Sequence, residues 1–283
     1  MIKYEGNYDA YDYYIQKGEG EVSIYLWLMD KAHNTSNALV ATTEFIPPVA
    51  VLFEDDKLVG EYQSIAEAYN AARTGSTSPS TIIVCQDNTM TAQLTIAANK
   101  NIVLDLNGKQ INSKLNTTII NRGKLEINDS SVGGKLVAKP NNGWSYVIDN
   151  QKQLILSNGT IEIDTFDKNA IGVAIYNNNH SSKFEMTGGK IHAISNWNDI
   201  YGIYSYLSDS SIILKGGSIE VLSDGSNRAY GIYKNGISAI DVINTTIEAI
   251  STKKEGYGIY NNNATNTVTI GTMLFAISSL IRS

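Results

Sequence analysis

The chain has 283 residues, a net charge of −6, and 42% apolar against 18% charged residues. It is too hydrophobic for disorder and long enough for one large domain or two ordinary ones. The acidic balance argues against the basic face that nucleic-acid binding needs. The single cysteine, Cys85, excludes an internal disulfide framework, and three scattered histidines leave no zinc spacing. The start, Met1 to Gly6, is too polar for a secretory signal, and the longest nearly apolar run, Met273 to Ile281, falls well short of a membrane span. Roughly a tenth of the residues are Asn and Ile is the commonest apolar residue, beside 17 Tyr, 23 Gly and only 4 Pro. Against ordinary usage that mixture predicts many short strands joined by Asn/Gly turns.

Residues 1–46 form a small β segment in this reading. Glu21 to Asp30 alternates like a strand, and Asp30 to Ser36 follows as a turn, with His33 at a position that favours Gly. Pro47-Pro48 opens a stiff linker over 47–60. In 61–79, Ser64 and Glu67 make a capping-box pair, and Ile65, Ala68, Tyr69 and Ala72 share one face of a short helix stopping near Gly75. A helix there covers the open edge of the first coil of the repeating region. Cys85 reads as a small buried side chain ending the strand Thr81–Cys85.

From residue 80 to 283 the sequence repeats itself. Tyr176, Tyr204, Tyr233 and Tyr260 are 28, 29 and 27 residues apart, the last three in Tyr-Gly-Ile-Tyr, and stepping back by 28 reaches Ile148 and Ile120. Leu125, Leu154, Phe184, Ile212, Ile240 and Val268 keep the same beat. Two residues beyond each stands another apolar group: Ile127, Leu156, Met186, Leu214, Val242 and Ile270. That is the period-2 pattern of a strand with one face inward. A third series, Ile161, Ile191, Ile219 and Ile247, follows glycine-bearing corners such as Gly188-Gly189 and Gly216-Gly217. Three short strands per ~28-residue coil describe an all-β, right-handed parallel β-helix, in which stacking buries edges that no coil buries alone.

Asn101 to Ile111, then Lys124 to Asp129, and the Tyr-Gly-Ile-Tyr coils resemble pectin-lyase-like right-handed β-helix segments of large bacterial surface proteins. The Asp30–Ser36 turn is similar to the end of a bacterial Ig-like domain, so 1–46 is expected to be the tail of such a domain within a longer polypeptide. The resemblance implies a fold, and an extracellular or cell-surface location, more than an activity.

Two outward rows are candidate sites. One holds Glu162, His192, Glu220 and Glu248, where strands about 4.8 Å apart set carboxylates near one another. Glu162 and Glu220, two coils apart, approach the roughly 6.5–9.5 Å of an inverting glycosidase pair, and such a row is also able to hold Ca²⁺. The simpler reading makes them solvated outward positions. The other row is Tyr176, Tyr204, Tyr233 and Tyr260, bordered by Asn177–Asn179 and Asn261–Asn263, a flat stripe able to stack on sugar rings while amides bond hydroxyls. Its simpler reading is a stiffening ladder. The motifs of polygalacturonase-like and pectate-lyase-like enzymes do not occur: Asp55-Asp56 precede the coils, and Arg122 and Arg228 fall in turns. The sequence therefore favours a non-catalytic surface spacer or adhesion module, contacting a polysaccharide or host glycan, over a polysaccharide lyase or glycoside hydrolase. No catalytic residue, resident metal or other cofactor is assigned.

Overall fold

The computed structural model describes residues 20–26, 32–34, 36–37, 39–207, 209–225, 227–236, 239–262 and 268–271, with only the backbone described for 20–26 and 39–45. The expected turn residues Asp30, Lys31 and Thr35, the border residue Asn263 and the Met273–Ile281 run lie outside them. The chain divides into two units, Met1–Pro47 and Pro48–Ser283. In the first, Gly20–Leu26 and Leu39–Phe45 pair antiparallel in unbroken register, and His33 has φ of 65°, the left-handed conformation that usually falls to glycine.

The second unit is a parallel β-solenoid of about six turns with coils near 28 residues. Its three sheets hold seven, ten and seven strands. One coil runs Lys124–Asn128, Lys135–Ala138, Gly143–Asn150, one strand to each sheet, and the next begins at Gln153–Leu156. The apolar series of the sequence are literal columns. Leu125, Leu154, Phe184, Ile212, Ile240 and Val268 are partners in successive ladders, as are Ile161, Ile191, Ile219 and Ile247. All belong to or pack on one interior cluster, in which Phe184, Ile212 and Ile240 are wholly buried. Each such side chain contributes roughly 1.5–3 kcal/mol by leaving water.

The backward extension slips by one residue. Ile148 pairs with Ile175 and Asp149 with Tyr176, so Ile148 belongs to the inward column and Asp149 to the tyrosine column. Ile120 stands outward beneath Asp149, with Ile119 inward beneath Ile148. The coil between is 27 residues here, not 28.

Residues 47–60 are not a linker. Ala50–Glu54 and Lys57–Tyr62 form an antiparallel hairpin that extends the ten-stranded sheet. Its two-residue turn is Asp55-Asp56, with φ of 50° and 62°, as the hairpin turn with two left-handed residues requires. Asp55 also accepts two guanidinium hydrogen bonds from Arg73, at 2.6 and 2.9 Å. The helix spans Ile65–Ala71, with Ser64 Oγ accepting from the Glu67 amide at 3.1 Å and Glu67 reaching back to the Gln63 amide. It ends at Ala72, before Gly75, because the buried Lys100 ammonium donates to the carbonyls of Tyr69 and Ala72. A cation at helix-terminal carbonyls does the work of a glycine stop. Ile65, Ala68 and Ala72 join the interior cluster and close it at the first coil. Cys85 is half-buried and lies just beyond the strand Ser80–Val84.

At the corners, Gly217 has φ of 83°, and a Cβ there would stand 2.5 Å from the Gly189 carbonyl oxygen; only glycine fits. On the neighbouring corner a buried amide ladder ties coils together. Asn121 Nδ2 donates to Asn150 Oδ1 at 2.9 Å and Asn150 Nδ2 to Asn177 Oδ1 at 2.8 Å. Each amide also donates to a backbone carbonyl of the following coil, Gln153 and Lys183 respectively. Removing the middle rung strands buried partners on both sides, at about 1–3 kcal/mol each. Asn150→Ala is therefore expected to lower unfolding stability by about 3 kcal/mol in urea titration; a loss below about 0.5 kcal/mol would contradict the ladder's role.

Candidate functional site

The outer face of the seven-stranded sheet that carries the Tyr-Gly-Ile-Tyr segments holds two tyrosine columns, not one. Tyr176, Tyr204, Tyr233 and Tyr260 stand in register, as expected. Beside them run Tyr146, Val173, Tyr201, Tyr230 and Tyr257, also in register. Strict alternation would turn Tyr201, three residues before Tyr204, to the inner face. Two successive inward residues between them prevent this, the first of them Gly202 here and Val147 or Ala174 in the earlier coils. The ladder passes from Tyr201↔Tyr230 to Ile203↔Ile232, and a Cβ on Gly202 would stand 2.8 Å from Ile219 Cγ2 in the interior. Gly202 and Ile203 together occupy the inward step, matched by Gly231 and Ile232 in the next coil, which leaves both tyrosines outside. The recurring glycine in Tyr-Gly-Ile-Tyr is the sequence signal for the second column.

The rings pack closely. Tyr201 and Tyr230 stack at 4.9 Å and 4°, and Tyr204 and Tyr233 at 5.0 Å and 11°. Tyr233–Tyr260 and Tyr230–Tyr257 continue the stacks at 5.1 and 5.3 Å. Between columns the contacts are edge-on, as in Tyr201–Tyr204 at 5.1 Å and Tyr230–Tyr233 at 5.4 Å. Both geometries suit the aromatic quadrupole, and each pair adds about 0.5–1.5 kcal/mol beyond area burial. Where Val173 interrupts the inner column, Trp144 from the preceding coil reaches over to stack on Tyr201 at 5.8 Å. Tyr201 is only 7% exposed, whereas Trp144 and Tyr206 at the margin are 43% and 50% exposed. Burial pushes the phenols up, Tyr146 and Tyr204 to about 12 and Tyr201 further, so the face stays uncharged at neutral pH.

The amides expected to border this stripe divide. Asn177 is wholly buried and spends its side chain on the ladder. Asn179, by contrast, lines an open cleft of about 480 Å³ with Arg122, Gln151, Lys152, His180 and Ser181.

The second predicted row also stacks in register: Glu162, His192, Glu220, Glu248. It is not a file of solvated carboxylates. His192 presents Nδ1 to Glu162 at 3.4 Å and Nε2 to Glu220 at 3.5 Å, while Lys135 meets Glu162 at 3.2 Å and Lys190 meets Glu220. Burial raises the Glu162 carboxyl, but Lys135 and His192 outweigh it and hold the carboxyl below its ordinary range. A general acid needs the opposite shift. Among the described residues no group of three or more His, Cys, Asp or Glu side chains is placed to hold a metal ion.

Sequence reasoning missed Lys234. It occupies the column of the asparagine ladder, in register with Ser205 and Asn261, and is wholly buried. Its ammonium donates to Ser210 Oγ at 2.6 Å and Ser205 Oγ at 3.0 Å, with the Leu207 and Ser210 carbonyls at 3.3 Å. Desolvation lowers its pKa from 10.5 to about 8. Below pH 8 the folded and unfolded chains both carry this proton, and the cost of burying the charge is present in full. Between about 8 and 10.5 the unfolded chain binds the extra proton, so this group's contribution makes stability rise with pH. Comparing pH 7.5 with pH 9.5 in denaturant titrations, wild type is expected to gain stability that Lys234→Met does not gain; parallel pH profiles would refute the assignment.

No protein-family model, curated protein or solved structure matches the chain.

Proposed function

We propose that this chain is a non-catalytic, extracellular module of a bacterial surface protein, a stiff spacer whose tyrosine face contacts a glycan. The observation that carries this reading is the paired tyrosine columns. They form a broad aromatic surface whose outer column remains half-exposed, and ring edges with phenolic hydroxyls, repeated once per coil, suit the apolar patches and hydroxyls of a glycan. The resemblance of Asn101–Ile111 and the Tyr-Gly-Ile-Tyr coils to β-helix segments of surface proteins supports the location, and the Asp30–Ser36 turn supports a preceding Ig-like domain. About six coils at about 4.8 Å give a spacer near 30 Å long.

A second reading, a polysaccharide lyase or glycoside hydrolase, rests on the Glu162–His192–Glu220 row. The Glu162 carboxyl, held below its ordinary range by Lys135 and His192, weighs against it as the acid of such a pair, which needs the opposite shift.

On a glycan array, the wild-type chain is expected to bind a restricted set of glycans, and Tyr204→Ala combined with Tyr233→Ala to weaken that binding at least tenfold. Circular dichroism should show the strands retained, since the interior columns are untouched. Binding that survives the double substitution removes the sugar-platform reading. Release of reducing ends or unsaturated products from a polysaccharide would favour the enzyme.

A further inference from the structure

The outer tyrosine column has a chemistry of its own, independent of any glycan. Tyr204, Tyr233 and Tyr260 repeat at 5.0 and 5.1 Å with interplanar angles of 11° and 19°. All three are half-exposed, so each phenol can reach an oxidant and lose its proton to water. Tyr206, half exposed, lies parallel to Tyr204 at 6.4 Å, an entry point at the margin of the stack. Tyr201 and Tyr230 of the inner column are sealed. In ordinary proteins two phenols couple after a diffusive encounter; here the partners are already held face to face by the ladder, at a separation fixed by strand spacing.

We propose that Tyr204, Tyr233 and Tyr260 are an oxidative cross-linking site, at which neighbouring phenols couple into dityrosine and staple successive coils. The co-reactant is a peroxide acting through a haem peroxidase. The oxidised haem takes one electron from each of two phenols, and each phenol gives up its O–H proton. The two radicals join through ring carbons ortho to oxygen, forming one C–C bond, and the two displaced ortho hydrogens leave as protons while both phenols re-form. Two tyrosines and one hydrogen peroxide thus give one dityrosine and two waters. The bond joins residues 29 or 27 positions apart in sequence, closing one coil into a covalent ring.

The test treats the full chain, at low micromolar concentration, with a haem peroxidase and hydrogen peroxide. Dityrosine fluorescence is expected on a species that remains monomeric in denaturing gels, with a yield per chain unchanged on tenfold dilution. Peptide mapping should find the Tyr204 segment joined to the Tyr233 segment, or Tyr233 to Tyr260, with two hydrogens lost per link. Tyr233→Phe keeps the ring and the packing but removes the shared partner; Tyr204 and Tyr260 are then two coils, about 9.6 Å, apart. Links among residues 204, 233 and 260 should fall at least tenfold in that variant; Tyr176, tilted 58° from Tyr204 at 5.6 Å, is counted separately. Cross-links that form only between chains, that map only to tyrosines elsewhere, or that keep their yield in Tyr233→Phe would each overturn the proposal.

Discussion

Everything in the solenoid depends on parallel strands stacking at one fixed spacing with like residues over like. That constraint turns a near-28-residue sequence period into vertical columns, and each column then expresses the chemistry of one residue type. Isoleucine and leucine columns make the core. An asparagine column makes a hydrogen-bond chain, in which each amide both donates and accepts, leaving buried polar groups satisfied where a lone asparagine would cost stability. Tyrosine columns make an aromatic surface, and glutamates with a histidine between them and lysines beside them make a bridged row. The same rule penalises error: a column is only as good as its worst-fitting rung.

The interior columns were legible because they need nothing but alternation and a count, as Phe184 under Ile212 under Ile240 illustrates. The failures have local causes. The Ile148 assignment slipped because the coil from Asp149 to Tyr176 is a residue short; the coil from Ile120 to Asp149 is a residue long, so Ile120 falls back into the tyrosine column, and a period counted on a single column registers neither. Tyr201 escaped because two successive inward residues break the two-residue rule at the very position where the repeat looks most regular. The hairpin at 50–62 was hidden by the two prolines before it and by a turn built from Asp55-Asp56, where Asn-Gly or Gly would have announced it. The helix stop was misplaced because Lys100, in the turn before the strand Asn101–Asp105, supplies what Gly75 was expected to supply.

The two candidate rows fared differently for an electrostatic reason. Sequence placed both correctly on outer faces, since outwardness follows from the neighbouring isoleucines. It said nothing about lateral neighbours. Lys135 and Lys190 stand two residues before the glutamates Glu162 and Glu220 in ladder terms, each one coil away, and their reach converts a row of acids into a bridged chain. For the tyrosines the lateral neighbours are more tyrosines, and crowding removes water from the phenols without adding charge.

The asparagine ladder ends at Asn177, and the next two rungs are Ser205 and Lys234. Within this buried column, consecutive turns share amide bonds up to Asn177, and above it the Lys234 ammonium joins the Ser205 and Ser210 hydroxyls. Because each turn of a solenoid touches only its neighbours, this gives the column a built-in polarity, a tightly laced lower segment and a more loosely laced upper one. Under mechanical load or fraying, the later turns are the ones placed to peel first, leaving the earlier segment as a self-supporting stub.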